Sequence, residues 1–285
     1  MKLSKLFLCV AAVLALTMSI SSHAAVKPLR VLLITGGCCH DYTKQKDILK
    51  KGLEARAHVK VTHAHSPDKS TSPPLPILGN PDYGKGYDVI IHDECAAKQA
   101  DKKIVQGVLT PHKNGIPGVN LHCAMHSYRV GDHRAPTKPG SEDSMWFDYL
   151  GLQSSGHGPK AAMEITFTAQ DHPITAGMKP WTTGPEELYN NVQVLPGTKA
   201  LASAVQMQKP RVKRNKKGKA KTPAAAAKAK RAEAVVVWVN EYKGTRVFST
   251  SVGHYNETVE DGRYLDLVTR GLLWSCKKLN QGYLK

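Results

Sequence analysis

No Cys-x-x-Cys pair, no His-Glu-x-x-His segment and no Gly-x-Gly-x-x-Gly run after the first predicted strand occurs in this chain. The first absence argues against a zinc–thiolate site and the second against the helix-borne metalloprotease arrangement. The third, with no acid some twenty residues on, leaves a tightly bound nicotinamide without its fingerprint. No internal repeat is visible. Beyond residue 25 no apolar run approaches the roughly 20 residues that span a bilayer, so no transmembrane segment is expected there. Between Lys209 and Arg231 there is neither an acid nor an aromatic. A single-stranded nucleic acid would find nothing to stack on in that stretch.

The same stretch explains the charge. It carries Lys209, Arg211, Lys213, Arg214, Lys216, Lys217, Lys219, Lys221, Lys228, Lys230 and Arg231. Removing these eleven from the formal +17 leaves +6, and removing Lys2 and Lys5 leaves +4. The body is therefore only mildly basic. Met207 to Ala232 reads as a low-complexity, solvated insert between two strands, with an anionic polymer as the candidate partner if it binds anything.

The N-terminus has a positive start with Lys2 and Lys5, an apolar run from Leu6 to Leu16, and small residues to Ala25. This pattern predicts a signal peptide over residues 1–25 and a periplasmic or secreted protein. The remaining 26–285 suit one large domain. Five cysteines stay after residue 25, Cys38, Cys39, Cys95, Cys123 and Cys276. An odd number leaves a free thiol, and adjacent Cys38 and Cys39 reach disulfide geometry with difficulty. The expectation is a fold held by its core.

Leu29 to Thr35, apolar apart from Arg30 and Thr35 and closed by Gly36-Gly37, has the pattern of a strand buried on both faces. Thr43 to Ala57 has helical spacing, with Thr43 as expected N-cap. His58 to Ala64 alternates, and His65 to Gly86 reads as a long loop. Tyr87 to His92, a helix over Ala97 to Thr110 and a strand at Ile116 to Leu121 continue a βαβ pattern, predicting a parallel sheet. Met145 to Leu150 predicts a short helix. Strands are expected at Ala162 to Thr168, Glu187 to Val192, Ala200 to Val205, Val235 to Glu241 and Arg246 to Val252, with a hairpin turn at Gly244. A closing helix covers Val259 to Cys276, with Tyr264, Val268, Gly271 and Leu272 on one stripe.

Ligands of parallel sheets sit at the carboxyl ends of strands. Three such ends carry histidines: His40 with Asp41, His122 beside Cys123, and His254. His157 and the Glu186-Glu187-Leu188-Tyr189 segment add candidates. Imidazoles with a carboxylate suit acid–base chemistry, and the same set can ligate a divalent metal.

His40-Asp41 after the first strand, Asn120-Leu121-His122-Cys123-Ala124, Glu186 to Tyr189, the segment ending Gly253-His254 and the helix through Thr269 to Cys276 together resemble the ThuA-like family. That resemblance runs from about Leu29 to Cys276. It implies a class I glutamine amidotransferase-like fold, a flavodoxin-like three-layer sandwich with a mostly parallel central sheet, and a role in disaccharide or modified-sugar metabolism. The family's characteristic positions fall on His40, Asp41, His122, His157, Glu187, Tyr189 and His254. Amidotransferases place a nucleophilic Cys at the elbow, where this chain has His122 with Cys123 one residue later. Their late His-x-Glu pair is also altered, because Glu257 lies three residues after His254. Glutamine hydrolysis is disfavoured.

The resulting expectation is an exported protein acting on a disaccharide or keto-glycoside. His40, His122, Glu187 and His254 are the catalytic candidates, and Asp41, His157 and Tyr189 the sugar-binding ones. Without a nicotinamide fingerprint, any oxidation of the sugar falls to a partner dehydrogenase. The competing readings are a non-catalytic sugar-binding protein and a polyanion binder working through the basic insert.

Overall fold

The computed structural model describes residues 26–209, 228–279 and 282–285. The segment read as a signal peptide and the centre of the basic insert lie outside them. Nine strands form one sheet in the order β2-β1-β3-β4-β11-β10-β9-β6-β7. β1 (Leu29–Gly37), β2 (Val59–Ser66), β3 (Val89–Cys95), β4 (Gly118–Leu121) and β11 (Thr245–Thr250) pair in parallel. β10 (Lys230–Tyr242), β9 (Lys199–Gln208), β6 (His157–Phe167) and β7 (Trp181–Tyr189) extend it antiparallel. β5 (Leu152–Gln153) and β8 (Gln193–Val194) make a small separate ladder.

The continuous apolar run of β1 is buried on both faces because its alternate residues enter two different cores. Val31 and Leu33 pack with Leu49 and Leu53 of α1 (Tyr42–Arg56) and with Tyr264, Val268 and Leu272 of α5 (Gly262–Ser275). Leu32 and Ile34 point the other way, towards Val105, Val108 and Leu109 of α2 (Lys102–Lys113) and Trp146 and Phe147 of α3 (Met145–Leu150). The result is helix, sheet, helix, and the chain reverses direction of winding between β1 and β3, where such folds bind ligands. A short α4 (Asn256–Val259) precedes α5. Among the described residues no helix is long and apolar enough to cross a membrane.

Several local expectations are corrected. α1 begins one residue before Thr43, and Asp41 caps it by accepting from the Lys44 amide, because a carboxylate is at least as good an N-cap as a hydroxyl. The loop expected over His65 to Gly86 begins only after β2, which runs to Ser66, and its Leu75, Ile77 and Tyr83 are buried against the α2 side. Both ends of the basic insert belong to the sheet, since Gln208 pairs with Lys230 and Met207 with Arg231. Continuing an antiparallel ladder outweighs the low strand propensity of lysine and alanine there. Gly244 closes the β10–β11 hairpin with Lys243, both at positive φ, as a two-residue turn requires.

Candidate functional site

The parallel strands all end on one edge of the sheet, and the side chains that follow them meet. After β1, Gly37 has φ +100° and a Cβ placed on it would lie 2.2 Å from the Cys95 carbonyl oxygen. Only glycine lets β1 run this close to β3 and then turn out to His40. After β4, His122 opens a 3-10 turn (His122–His126) with φ +38°. This left-handed elbow is the strained conformation in which a strand-to-helix turn presents one side chain. After β11, Gly253 at φ +126° leads into His254.

Glu187 comes from β7, the last strand in the sheet order, yet its Oε2 lies 3.6 Å from His122 Nε2 and 3.4 Å from His254 Nδ1. The β6–β7 pair therefore curls back over the strand ends. Register shifts between His157 and Lys160 and between Ala162 and Glu164 mark where it bends. Glu187 Oε1 faces His157 Nε2 at 3.5 Å and Lys160 Nζ at 3.7 Å.

The hydrogen bonds fix the imidazoles. Ser251 O can only accept, so His122 donates to it through Nδ1–H at 2.7 Å. Its Nε2 then accepts from the Tyr189 hydroxyl at 3.2 Å. His40 likewise donates from Nδ1 to His254 O at 3.3 Å. The His40 ring stands edge-on to His122 and His254, with centroids 4.7 and 4.6 Å away. The backbone N–H of His254 donates to both carboxylate oxygens of buried Glu186, at 3.0 and 3.1 Å. Its carbonyl also accepts from Gln45 Nε2.

Burial, together with the charges of His122 and His254, pushes the His40 pKa down to about 2, so this ring is neutral near pH 7. Burial alone would raise Glu187, but the imidazoles of His122 and His254 beside its Oε2 reverse that and hold its carboxyl below the usual carboxylate range.

An open cleft of about 440 Å³ leads to the cluster, lined by His40, Asp41, Lys160, His254, Tyr255 and Asn256 among others. His122, 1 % exposed, is not among its lining residues. Of the residues singled out from sequence, His40, His122, Glu187 and His254 form one cluster, and His157 and Tyr189 adjoin it. Asp41 stands at the cleft wall with its carboxylate occupied by the α1 cap and by Asn256 Nδ2 at 3.0 Å.

Two residues outside the sequence-based set also join the cluster: His126, stacked on Tyr189 at 4.1 Å with its ring within 6° of parallel, and Lys160. The signal for His126 was its place four residues after His122. Cys123 is buried with Tyr42 and Cys95, and hydrogen bonding to Cys95, with burial, pushes its thiol well above the ordinary range. Cys38 and Cys39 are bonded to each other, contrary to expectation. Cys39 takes φ +83°, and this reversal at the end of β1 brings the two sulfurs together.

A sheet with parallel strands and helices on both faces, a left-handed elbow after β4 and polar side chains gathered at the strand ends define a class I glutamine amidotransferase-like α/β protein. The sequence pattern of the ThuA family, described as trehalose utilisation, matches residues 30–275, and the chain belongs to that family. At family level this gives a carbohydrate-related role.

Solved structures agree on the fold. A ThuA-like protein of Parabacteroides merdae superposes with TM-score 0.58 at 20% identity, over 90% of this chain and 92% of the other. A ThuA-like protein of Bacteroides uniformis gives 0.60 at 16% identity, over 92% and 98%. A GMP synthase protein of Thermoplasma acidophilum gives 0.51 at 9% identity, over 88% and 94%. Comparison with curated protein sequences finds no match.

Proposed function

We propose that this cluster performs acid–base chemistry on a carbohydrate, a disaccharide or a keto-glycoside. The observation that carries the reading is a single buried carboxylate, Glu187, within 3.4–3.6 Å of ring nitrogens of three histidines, one of which, His254, lines an open cleft. Imidazole exchanges protons near neutral pH, and a carboxylate in contact with it sets its orientation and stabilises its cationic form. His40 and His254 line the cleft and are the groups that meet substrate. His122 and Glu187 stand behind them as proton acceptor and charge partner. Asp41 and His157 offer polar contacts to sugar hydroxyls, and Tyr189 orients His122.

A keto-glycoside suits this set. A ketone acidifies the hydrogen on the neighbouring carbon. An imidazole takes that proton, the electron pair forms the enolate and then the double bond, and the glycosidic C–O bond β to the carbonyl breaks. The leaving alkoxide takes a proton from the cluster, so charge and atoms balance without an oxidant. Installing the ketone belongs to a partner dehydrogenase. The exported location read from residues 1–25 is part of the same proposal and is checked by cell fractionation.

The test is an NMR-followed turnover screen with common disaccharides and their 3-keto derivatives, run on wild type and Glu187→Gln. Product from wild type, lost in the variant, supports the reading. Saturable binding with no product after long incubation replaces it with a sugar-binding protein. Absence of both binding and product removes the carbohydrate from this cleft.

A further inference from the structure

The imidazoles of the cluster are set up in the way that metal-binding histidines are. His122 and His40 each donate Nδ1–H to a backbone carbonyl, Ser251 O and His254 O, and so each holds out an Nε2 lone pair. Orienting a ring by giving its other N–H to a carbonyl is the usual outer support of a ligating histidine. The third ring has no such partner. The His254 side chain is 4% exposed, and its Nδ1 makes no hydrogen bond although Glu187 Oε2 lies 3.4 Å away. A buried nitrogen left without a hydrogen-bond partner is destabilising, and a cation would give it a partner. One ring nitrogen from each of the three histidines lies within 4.8 Å of the other two.

We propose that His40, His122 and His254 bind one divalent transition-metal ion, with the Glu187 carboxylate as its anionic neighbour. The donor set selects the class. Imidazole nitrogens with one carboxylate suit zinc, cobalt, nickel, copper or iron, whereas magnesium and calcium need an oxygen cage. Lys160 is paired with the other carboxylate oxygen of Glu187, leaving Oε2 towards the rings. Zinc–nitrogen bonds of about 2.0–2.1 Å require the rings to draw in by roughly an ångström. The Tyr189 hydroxyl, now on His122 Nε2 at 3.2 Å, is the group the ion displaces. A second cluster, Cys38, Cys39 and Cys95, is as compact. The bond between Cys38 and Cys39 leaves it a single thiol.

The experiment uses tag-free protein stripped with a chelator, titrated with Zn2+ and with Co2+ in the absence of any sugar, so its outcome is independent of the carbohydrate reading. One ion per chain is expected by equilibrium dialysis, with the visible bands of low-coordinate Co2+. X-ray absorption on the zinc form of wild type is expected to show nitrogen and oxygen scatterers at about 2.0–2.1 Å. His40→Ala and His254→Ala are each expected to weaken binding by more than the roughly 10–100-fold that follows loss of an outer partner. Tyr189→Phe is expected to retain it, and His63→Ala, whose ring bonds to Lys46 O, to leave it unchanged. Circular dichroism confirms that each variant is folded. No binding to wild type overturns the proposal. So does unchanged affinity in the His40→Ala/His254→Ala double variant, or sulfur scattering at about 2.3 Å, which would place the ion on the cysteines.

Discussion

Gly37→Ala is the substitution that most directly probes how the strands hold the site. At φ +100° an alanine is strained, and its Cβ would meet the Cys95 carbonyl oxygen at 2.2 Å and the carbonyl carbon at 2.9 Å. These are backbone atoms of the neighbouring strand, paired with Gly37 in register, so the clash is relieved only by parting β1 from β3. Left-handed strain contributes about 1–2 kcal/mol and overpacking about 1–3 kcal/mol. The stiffer unfolded chain of the alanine variant offsets roughly 0.4–1 kcal/mol. The net expectation is destabilisation by about 1–5 kcal/mol. Gly79→Ala supplies the control, with φ +78° but nothing within 4 Å of the added Cβ. It carries the backbone strain without the contact. Denaturant unfolding of both variants reads the difference, and turnover of Gly37→Ala is expected to fall by up to about 100-fold as His40 shifts. Equal midpoints for the two variants would refute the close approach of β1 to β3.

Other consequences rest on named contacts. Glu187→Gln keeps the shape of the side chain but removes the charge facing His122, His157 and His254. Steady-state kinetics are expected to show turnover reduced by about 100-fold or more, and activity within a few-fold of wild type would take Glu187 out of the mechanism. His112 is fully buried, and burial, then the charge of His92, holds its pKa well below the ordinary value. The unfolded chain binds a proton there below about pH 6.5 while the folded one does not, so His112 makes stability fall as the pH is lowered below about 6.5, by up to about 1.4 kcal/mol per unit. In His112→Gln that component of the slope should vanish, and equal slopes in acid would show that the folded ring protonates normally. In Gly271→Ala the added Cβ would lie 2.4 Å from the Phe248 ring. A loss of about 1–3 kcal/mol is expected by denaturant titration, and a neutral result would mean that α5 can slide on β11.

Much of this molecule was legible from periodicity because its core is two-sided. Val31 to Ile34 could be apolar at four successive positions only if both faces were covered, and the α1–α5 and α2–α3 layers cover them. The histidines were legible because the carboxyl ends of parallel strands share one edge. Glu187 could be picked out as a carboxylate, but nothing in the sequence shows that the last antiparallel strand of the sheet curls back to the elbow; that goes with two register shifts in the β6–β7 ladder. Lys160 was hidden for the same reason, since it reaches Glu187 across that ladder. The bond between Cys38 and Cys39 depends on one left-handed residue, Cys39, that no pattern of residue types announces. Leu75, Ile77 and Tyr83 are buried from a segment rich in proline and glycine, where composition masked the apolar side chains.

The claim that the histidine–glutamate cluster receives a carbohydrate is tested most directly by following the imidazole resonances of the protein by NMR during titration with a disaccharide and its 3-keto derivative. Saturable shifts of the His40 and His254 rings are the predicted result, with those of half-buried His58 and His63, which do not line the cleft, unmoved. Saturable binding that leaves His40 and His254 unchanged would place the sugar elsewhere and contradict the account.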